Sequence, residues 1–484
     1  MASISIKKNY FYNVILTSSN IIAPLIIYPY VLRILGPDGI GKVNFALSVM
    51  GYFLMVAQFG IPLYGIKEIA KVRDDKEKLN RVFSELFFIN VITFIFSFIL
   101  YILVIFLVPK FRNDFILYFI IGMNLFFNLF TIDWFYSGLE EYKYITIRSV
   151  AVRVLYIISI YFFIHTEKDY VIYAALGVFS LILSNFINFI FLLKKIRIIF
   201  FGLDFKKYLK PIFWIFFAAV IGSVYNKMDV ILLGFMTEDK YVGFYTTNRR
   251  ITSLILAFVS ALGTVLIPRL SYYINNNKVE EYKKLAEKSI NFIYFISVPS
   301  IIFLIIFAKE ILLFFGGEKF LPASLSLQLI SFQILMTSLA TFFGFQVILA
   351  NNDEKIIMFS NISGAIVNIV INLLFIKKYL HNTPSFAIVA SEFAVVLTQI
   401  ILAKKYINFR IFSFQSFNYF IAGFILLLLL FIIKSYIYNF ILLMLVSIIL
   451  FGLIYFAYLL FIKDEIIMMI KDTLINKLKH SKKF

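Results

Sequence analysis

The chain has 484 residues, of which 62% are hydrophobic and 15% charged, and it contains no Cys. Soluble domains are usually about 45–50% apolar and about 25% charged, so this composition excludes an ordinary soluble fold and predicts lipid as the solvent. The absence of Cys excludes disulfides, thiolate metal sites and thiol nucleophiles. Because His165, His381 and His480 are far apart in the sequence, we predict no metal site and no cofactor.

The net charge of +19 has two interpretations, a nucleic-acid partner or a membrane surface. The basic residues lie mostly in short segments between apolar runs and form no contiguous basic domain. This distribution is typical of topology signals and of contact with anionic lipid head groups. We therefore predict membrane lipids, and no nucleic acid, as partners.

Runs of about 20 mainly apolar residues predict an all-α polytopic membrane protein with about 14 transmembrane helices. The first six spans are Asn13–Ile34, Val43–Leu63, Phe83–Val108, Phe115–Phe135, Ile147–Ile164 and Tyr170–Leu193. The next six are Pro211–Phe235, Ile251–Pro268, Ser289–Phe307, Leu325–Leu349, Ile356–Ile376 and Pro384–Ala403, and the last two are Phe417–Ile433 and Phe440–Ile462.

The loops alternate in their content of Lys and Arg. If the N-terminus is cytoplasmic, the basic stretches Lys67–Arg81, Lys194–Lys210 and Arg269–Lys288 all fall on the cytoplasmic side. This is the side that the positive-inside rule favours. We therefore predict that both termini are cytoplasmic.

A weak internal repeat links the two halves of the chain. Leu35-Gly36 followed by Gly41 returns as Leu233-Gly234 followed by Gly243, and each pair precedes a span and a charged stretch. A repeat separated by an even number of spans keeps its orientation, so it predicts two parallel, pseudosymmetric lobes. The segment 463–484 places Ile and Leu on one face and predicts an amphipathic helix on the inner leaflet.

Four segments resemble Wzx-type polysaccharide-unit flippases of the multidrug/oligosaccharidyl-lipid/polysaccharide (MOP) exporter superfamily. They are Pro29–Gly41; Phe59–Ala70 with Arg73-Asp74; Trp134 with Gly138 and Glu140; and Asp229–Gly234 with Val242–Tyr245.

The resemblance implies an alternating-access transporter of two six-helix lobes with two further helices. The predicted divisions are 1–200 and 201–410 for the lobes, 411–462 for the two additional spans and 463–484 for the cytoplasmic tail. The implied substrate is an oligosaccharide unit on undecaprenyl pyrophosphate, which is moved to the outer leaflet of the bacterial cytoplasmic membrane for O-antigen or capsule synthesis. Polysaccharide polymerase machinery is an implied partner.

Polar residues inside spans are costly and are therefore candidates for a site. Glu392, in the middle of the twelfth span, suits coupling to H⁺ or Na⁺, or else an ion pair with a neighbouring helix. Asp229 and Asp133 are further coupling candidates, although Asp229 also suits a structural role, and Asp133 is also placed to pair with Arg153.

Basic and amide residues are candidates for the substrate cavity. Arginine suits a pyrophosphate because of its bidentate geometry. The alternative for Arg33, Lys42, Arg249 and Arg250 is ordinary charge of the outer loops. The alternatives for the others are snorkelling of Lys227 to the interface and contacts between helices for the two Asn residues. The candidates are Arg33, Lys42, Arg249, Arg250, Arg153, Lys227, Asn368 and Asn372.

Two other functions compete with the flippase. A cation-coupled drug exporter of the same superfamily predicts an acidic cavity, whereas the candidates here are mostly basic. A membrane polysaccharide polymerase predicts an extended catalytic loop outside the membrane, and the longest loops here are short and predicted to be cytoplasmic. The sequence therefore favours a transporter and not an enzyme.

Overall fold

A computed structural model describes residues 6–437 and 440–468, and most of these residues are helical, with no strand among them. Eighteen α-helices follow one another along the described chain. Ten helical segments of this part are long and apolar enough to cross a membrane. The predicted all-α polytopic membrane protein is confirmed; the count of fourteen spans stays a prediction.

The chain forms two compact units, and the first contains residues 1–243 and 315–319. Its helices are α1 (Ile6–Gln58), α2 (Ile61–Val72), α3 (Lys76–Leu107), α4 (Pro109–Asn113), α5 (Phe115–Asn128), α6 (Asp133–Gly138), α7 (Tyr142–Phe163), α8 (Tyr170–Leu193) and α9 (Lys206–Met236). Helix α1 packs against α3, α5, α7, α8 and α9 and is therefore the centre of this unit.

Helix α1 is two helices that meet at Gly36, whose φ of 67° lies in the left-handed region. A continuous helix of this length would measure about 80 Å, far more than the roughly 30 Å of a bilayer core, so the break divides α1 into the first two predicted spans. Glycine ends the first helix because it adopts positive φ without strain, and Pro37 begins the second because its fixed φ suits a first turn.

The linker between α8 and α9 is held along α3 by backbone hydrogen bonds. Ile199 N–H donates to Ser84 Oγ at 2.8 Å, and Asp204 N–H donates to Glu85 Oε1 at 3.0 Å. Glu85 is fully buried, and it also accepts from Tyr208 Oη at 2.7 Å and pairs with Lys207 at 2.9 Å. The predicted boundary between the two lobes, after residue 200, falls in this linker. The first compact unit continues to residue 243. The predicted divisions of the chain stay predictions.

The second unit contains residues 244–314 and 320–484. Its helices are α10 (Asp239–Asn275, which begins in the first unit), α11 (Val279–Ile306), α12 (Ala308–Gly316), α13 (Ser324–Ser331), α14 (Gln333–Thr341), α15 (Glu354–Tyr379), α16 (Asn382–Leu402), α17 (Phe414–Tyr436) and α18 (Phe440–Phe461). Helix α16 packs against α13, α14 and α15, and α11 packs against α17. Most of the predicted amphipathic tail, 463–484, lies outside the described residues.

Candidate functional site

The first and fourth motifs of the resemblance, Pro29–Gly41 and Asp229–Gly234 with Val242–Tyr245, pack against each other through the part that lies in the first unit. A Cβ atom on Gly41 would overlap the carbonyl oxygen of Asp239, and a Cβ atom on Gly243 would overlap that of Pro37. The Phe45 ring, one turn further along α1, lies against Gly234. These glycines are required for close approach of two backbones.

The second and third motifs form another contact. The Trp134 ring lies on Gly65, and Ile69 lies on Gly138, so α2 and α6 interlock through two glycines. On the surface beside them, Arg73 Nη1 pairs with Glu140 Oε1 at 2.8 Å. The residues that carry the family resemblance in the first unit are therefore largely packing residues.

Arg153 lies half-buried on α7, where its guanidinium donates hydrogen bonds to Ser19 Oγ and Asn20 Oδ1 of α1. Both partners are neutral, so they satisfy hydrogen bonds of the guanidinium without neutralising its charge. An arginine held in this way in a membrane span is a site for an anionic group. Its role in a substrate cavity stays a prediction.

Asp133 pairs with Arg148 and not with Arg153, so the predicted alternative pairing is corrected. Arg148 Nη2 lies 2.8 Å from Asp133 Oδ1, and Asn188 Nδ2 donates to the same oxygen at 2.6 Å. Asp133 begins the short helix α6, and Arg153 lies five residues beyond Arg148, about 7.5 Å further along α7. The role of Asp133 in ion coupling stays a prediction.

Lys42 lines a cavity of about 490 Å³ in the first unit, together with Lys110, Asp114, Tyr170 and Asp239. Its Nζ lies 4.8 Å from the centre of the Tyr170 ring, and Tyr170 Oη donates to Asp114 Oδ1 at 3.2 Å. Burial raises the pKa of Asp114, against the lowering effects of the Tyr170 hydrogen bond and the Lys42 charge. Lys110 pairs with Asp239 at 2.7 Å.

Lys227 and Asp229 face α1 from α9. Lys227 Nζ lies against Gly51, where only a residue without a side chain leaves room for it. Asp229 is fully buried. Arg33 is exposed on the same helix, α1. Four of the predicted cationic candidates therefore lie on or beside α1: Arg33, Lys42, Arg153 and Lys227.

In the second unit, the two predicted Asn residues share one face of α15. Both are buried, and Asn372 Nδ2 donates to Asn368 Oδ1 at 3.1 Å. Glu392 is only 6% exposed, in the middle of α16, beside buried Ser391. Arg249 is half-buried and Arg250 exposed, both on α10. The roles of all these residues stay predictions.

The sequence analysis missed Lys110, Asp114, Tyr170 and Asp239 in the cavity around Lys42, and Arg148 and Asn188 around Asp133. The glycine repeat marks the position of Asp239, which lies four residues before Gly243 as Pro37 lies four residues before Gly41. In the described part of the chain, no group of three or more His, Asp or Glu is placed to hold a metal ion.

The apolar helices define a polytopic membrane protein, and its fold is that of solved membrane transporters. The structure of Lipid II flippase MurJ in an inward closed conformation superimposes with a TM-score of 0.75 at 17% identity, over 94% of this chain and 100% of that chain. An outward-facing transporter of the MATE family of the MOP superfamily superimposes with a TM-score of 0.56 at 15% identity, over 81% and 94%. At these identities the similarity establishes the fold.

The family profile described as "Polysaccharide biosynthesis protein" matches residues 6–274, more than half of the chain, and the profile MatE matches residues 215–374. The chain therefore belongs to the polysaccharide biosynthesis protein family. The Putative O-antigen transporter of Escherichia coli (strain K12) is 24% identical over 355 residues, which cover 73% of this chain and 85% of that protein. Capsular polysaccharide biosynthesis protein CapF of Staphylococcus aureus is 22% identical over 414 residues, 83% and 98% of the two chains.

These matches confirm the predicted resemblance to Wzx-type members of the MOP superfamily. They also confirm the prediction of a transporter and not an enzyme.

Proposed function

We propose that this protein is a flippase that moves an oligosaccharide unit linked to undecaprenyl pyrophosphate from the inner to the outer leaflet of the bacterial cytoplasmic membrane. The exported unit serves O-antigen or capsule synthesis, and both termini are cytoplasmic. The polymerase machinery that consumes the unit is the proposed partner. Relatives named as an O-antigen transporter and as a capsular polysaccharide biosynthesis protein support a glycan substrate.

The observation that carries the proposal is the charge of Arg153 in the membrane-spanning part of the first unit. Its hydrogen-bond partners, Ser19 and Asn20, are neutral. The positive charge therefore favours an anionic group such as the pyrophosphate of a lipid carrier. A cationic drug would be repelled by the same charge, which argues against the drug exporter.

We also propose that transport is coupled to H⁺ or Na⁺ through Glu392. This carboxylate is buried in the middle of an apolar helix. A carboxylate in such a place is costly to keep charged and suits a site that exchanges an ion between two conformations. Asp229, which is also buried, is the second candidate in this proposal.

The function is tested with purified protein in vesicles, by following a fluorescent sugar on a polyprenyl pyrophosphate as it changes leaflet. We expect the parent protein to move this lipid and Arg153→Gln to be at least about tenfold slower, as expected for one lost charge-assisted contact. Arg153→Lys keeps the charge and should retain part of the activity. Arg112→Gln, which removes an exposed arginine of α4, is the matched control.

Two results would count against the proposal in different ways. If the parent protein does not move the lipid-linked sugar, the proposed substrate is wrong. If Arg153→Gln transports at the parent rate while the parent is active, the function stands and Arg153 is not part of the substrate path.

A further inference from the structure

An apolar groove on the first unit, between α7 and α8, has no part in the proposed transport path. Its volume is about 570 Å³, and its walls are Ile147, Ala151 and Leu155 of α7 and Leu183, Ile187 and Phe191 of α8. We name it the α7–α8 groove. Ile147, Leu155 and Phe191 are each more than 40% exposed. Since both helices are apolar enough to span the membrane, this groove opens toward lipid.

One end of the α7–α8 groove is basic. Lys143 lines the groove at the start of α7, and Lys194 follows the last residue of α8 with its Nζ 5.2 Å from the centre of the Phe191 ring. Because α7 begins where α8 ends, the two lysines lie at the same end of the helix pair. This end carries the predicted cytoplasmic segments.

The acidic residues at this end already have basic partners. Glu141 pairs with Lys195, and Asp133 pairs with Arg148. By contrast, within residues 6–437 and 440–468 no carboxylate oxygen lies within 4 Å of the ammonium group of Lys143 or Lys194. The end of the groove therefore keeps two exposed positive charges.

We infer that the α7–α8 groove binds an anionic phospholipid of the cytoplasmic leaflet, with an acyl chain along the apolar walls and the phosphate at Lys143 and Lys194. Apolar walls require a chain, and the two positive charges require an anionic head group. Basic pockets between transmembrane helices on the cytoplasmic side recognise anionic head groups in this way. Because the site lies on the lipid-facing surface, its occupant stays in the leaflet and is not transported.

The test is native mass spectrometry of the full chain in detergent, titrated with phosphatidylglycerol or with zwitterionic phosphatidylcholine of the same chain length. We expect one phosphatidylglycerol to bind in preference to phosphatidylcholine. The double variant Lys143→Gln/Lys194→Gln should weaken this binding by about 25-fold, since one lysine near a lipid surface contributes roughly fivefold. Ala151→Phe fills the groove from an exposed position and should also abolish tight binding.

The matched control is Lys67→Gln/Lys76→Gln, which removes the same charge from two exposed positions elsewhere on the first unit. We expect it to bind phosphatidylglycerol as the parent does. If both double variants weaken binding equally, the effect is diffuse surface charge and the inference is wrong. Size-exclusion profiles identical to that of the parent show that each variant is folded.

Three further outcomes would overturn the inference. Displacement of the lipid by soluble glycerol phosphate would show a simple phosphate site. Unchanged binding in Ala151→Phe would show that the groove holds no chain. In the third outcome, a polyprenyl pyrophosphate displaces phosphatidylglycerol and loses more affinity than phosphatidylglycerol does when the two lysines are replaced. The groove would then belong to the carrier lipid.

Discussion

Gly41 and Gly243 occupy equivalent positions in the two copies of the internal repeat, and each faces the carbonyl group four residues before the other glycine. Gly41 approaches Asp239, and Gly243 approaches Pro37. This reciprocal contact is what a pseudo-two-fold axis between the two copies produces. It lies within the first compact unit, so the second copy begins as part of the structure built by the first.

Substitution of either glycine should therefore destabilise the first unit. In Gly41→Ala or Gly243→Ala, the new Cβ overlaps a backbone carbonyl oxygen that cannot move without moving its helix. We expect a loss of about 1–3 kcal/mol or more, as for other overpacked sites. The measurement is the thermal midpoint in fluorescence-detected size exclusion. Gly177→Ala is the control, because its Cβ meets only Tyr156 Oη at 3.8 Å; an equal loss there would contradict the explanation.

Glu85 should control how firmly the linker between α8 and α9 is held. Glu85→Gln removes the charge that faces Lys207 and weakens the hydrogen bonds from Asp204 and Tyr208. We expect a loss of roughly 1–3 kcal/mol and faster tryptic cleavage after Arg197. Glu77→Gln, an exposed residue in the first turn of the same helix, should cost at most about 1 kcal/mol. Equal protease resistance of parent and Glu85→Gln would show that the linker does not depend on this carboxylate.

Glu392→Gln should uncouple transport from the H⁺ or Na⁺ gradient. The substitution keeps the size and the hydrogen bonding of a buried side chain but removes its titration, so the variant should fold and lose its response to imposed H⁺ or Na⁺ gradients. The measurement is leaflet transfer of a fluorescent lipid-linked sugar with and without each gradient. Glu354→Gln, an exposed acid at the start of α15, is the matched control. A variant that responds to both gradients as the parent does would exclude Glu392 as the coupling residue.

Reporter fusions test the orientation of the chain. Fusions after Lys76, Lys206 and Lys283 should read as cytoplasmic, and a fusion after Lys110 should read as external, because basic loops stay on the cytoplasmic side. The measurement is paired alkaline phosphatase and green fluorescent protein activity in whole cells. An external signal at Lys206 would reject two parallel lobes, since the two copies of the repeat must enter the membrane in the same sense.

Hydropathy was sufficient to predict an all-α membrane protein, because exposed side chains along these helices are themselves apolar, such as Phe162 at 72% and Leu107 at 75% exposure. The partners of polar residues were harder to predict. The suggested pairing of Asp133 with Arg153 is wrong, since the sequence does not show where α6 begins or at what depth α7 begins. The structure places Arg148 there instead.

The motifs of the resemblance identified the family correctly but did not reveal what their residues do. Gly65 and Gly138 matter through Trp134 and Ile69, which come from the partner helix in each case. Such contacts between motifs distant in sequence are invisible to hydropathy and to spacing. The glycines of these motifs therefore locate what the fold requires for packing, and the substrate site has to be sought among polar residues inside and outside the motifs.

The single residue that joins the two halves of α1 limits how these helices move. One residue spans at most about 3.6 Å, so at Gly36 neither half can slide along the other by more than a fraction of a helical turn. Piston movement between the first two spans is therefore excluded. A transport stroke can therefore change the angle between the two halves at Gly36, but it cannot displace one half along the other.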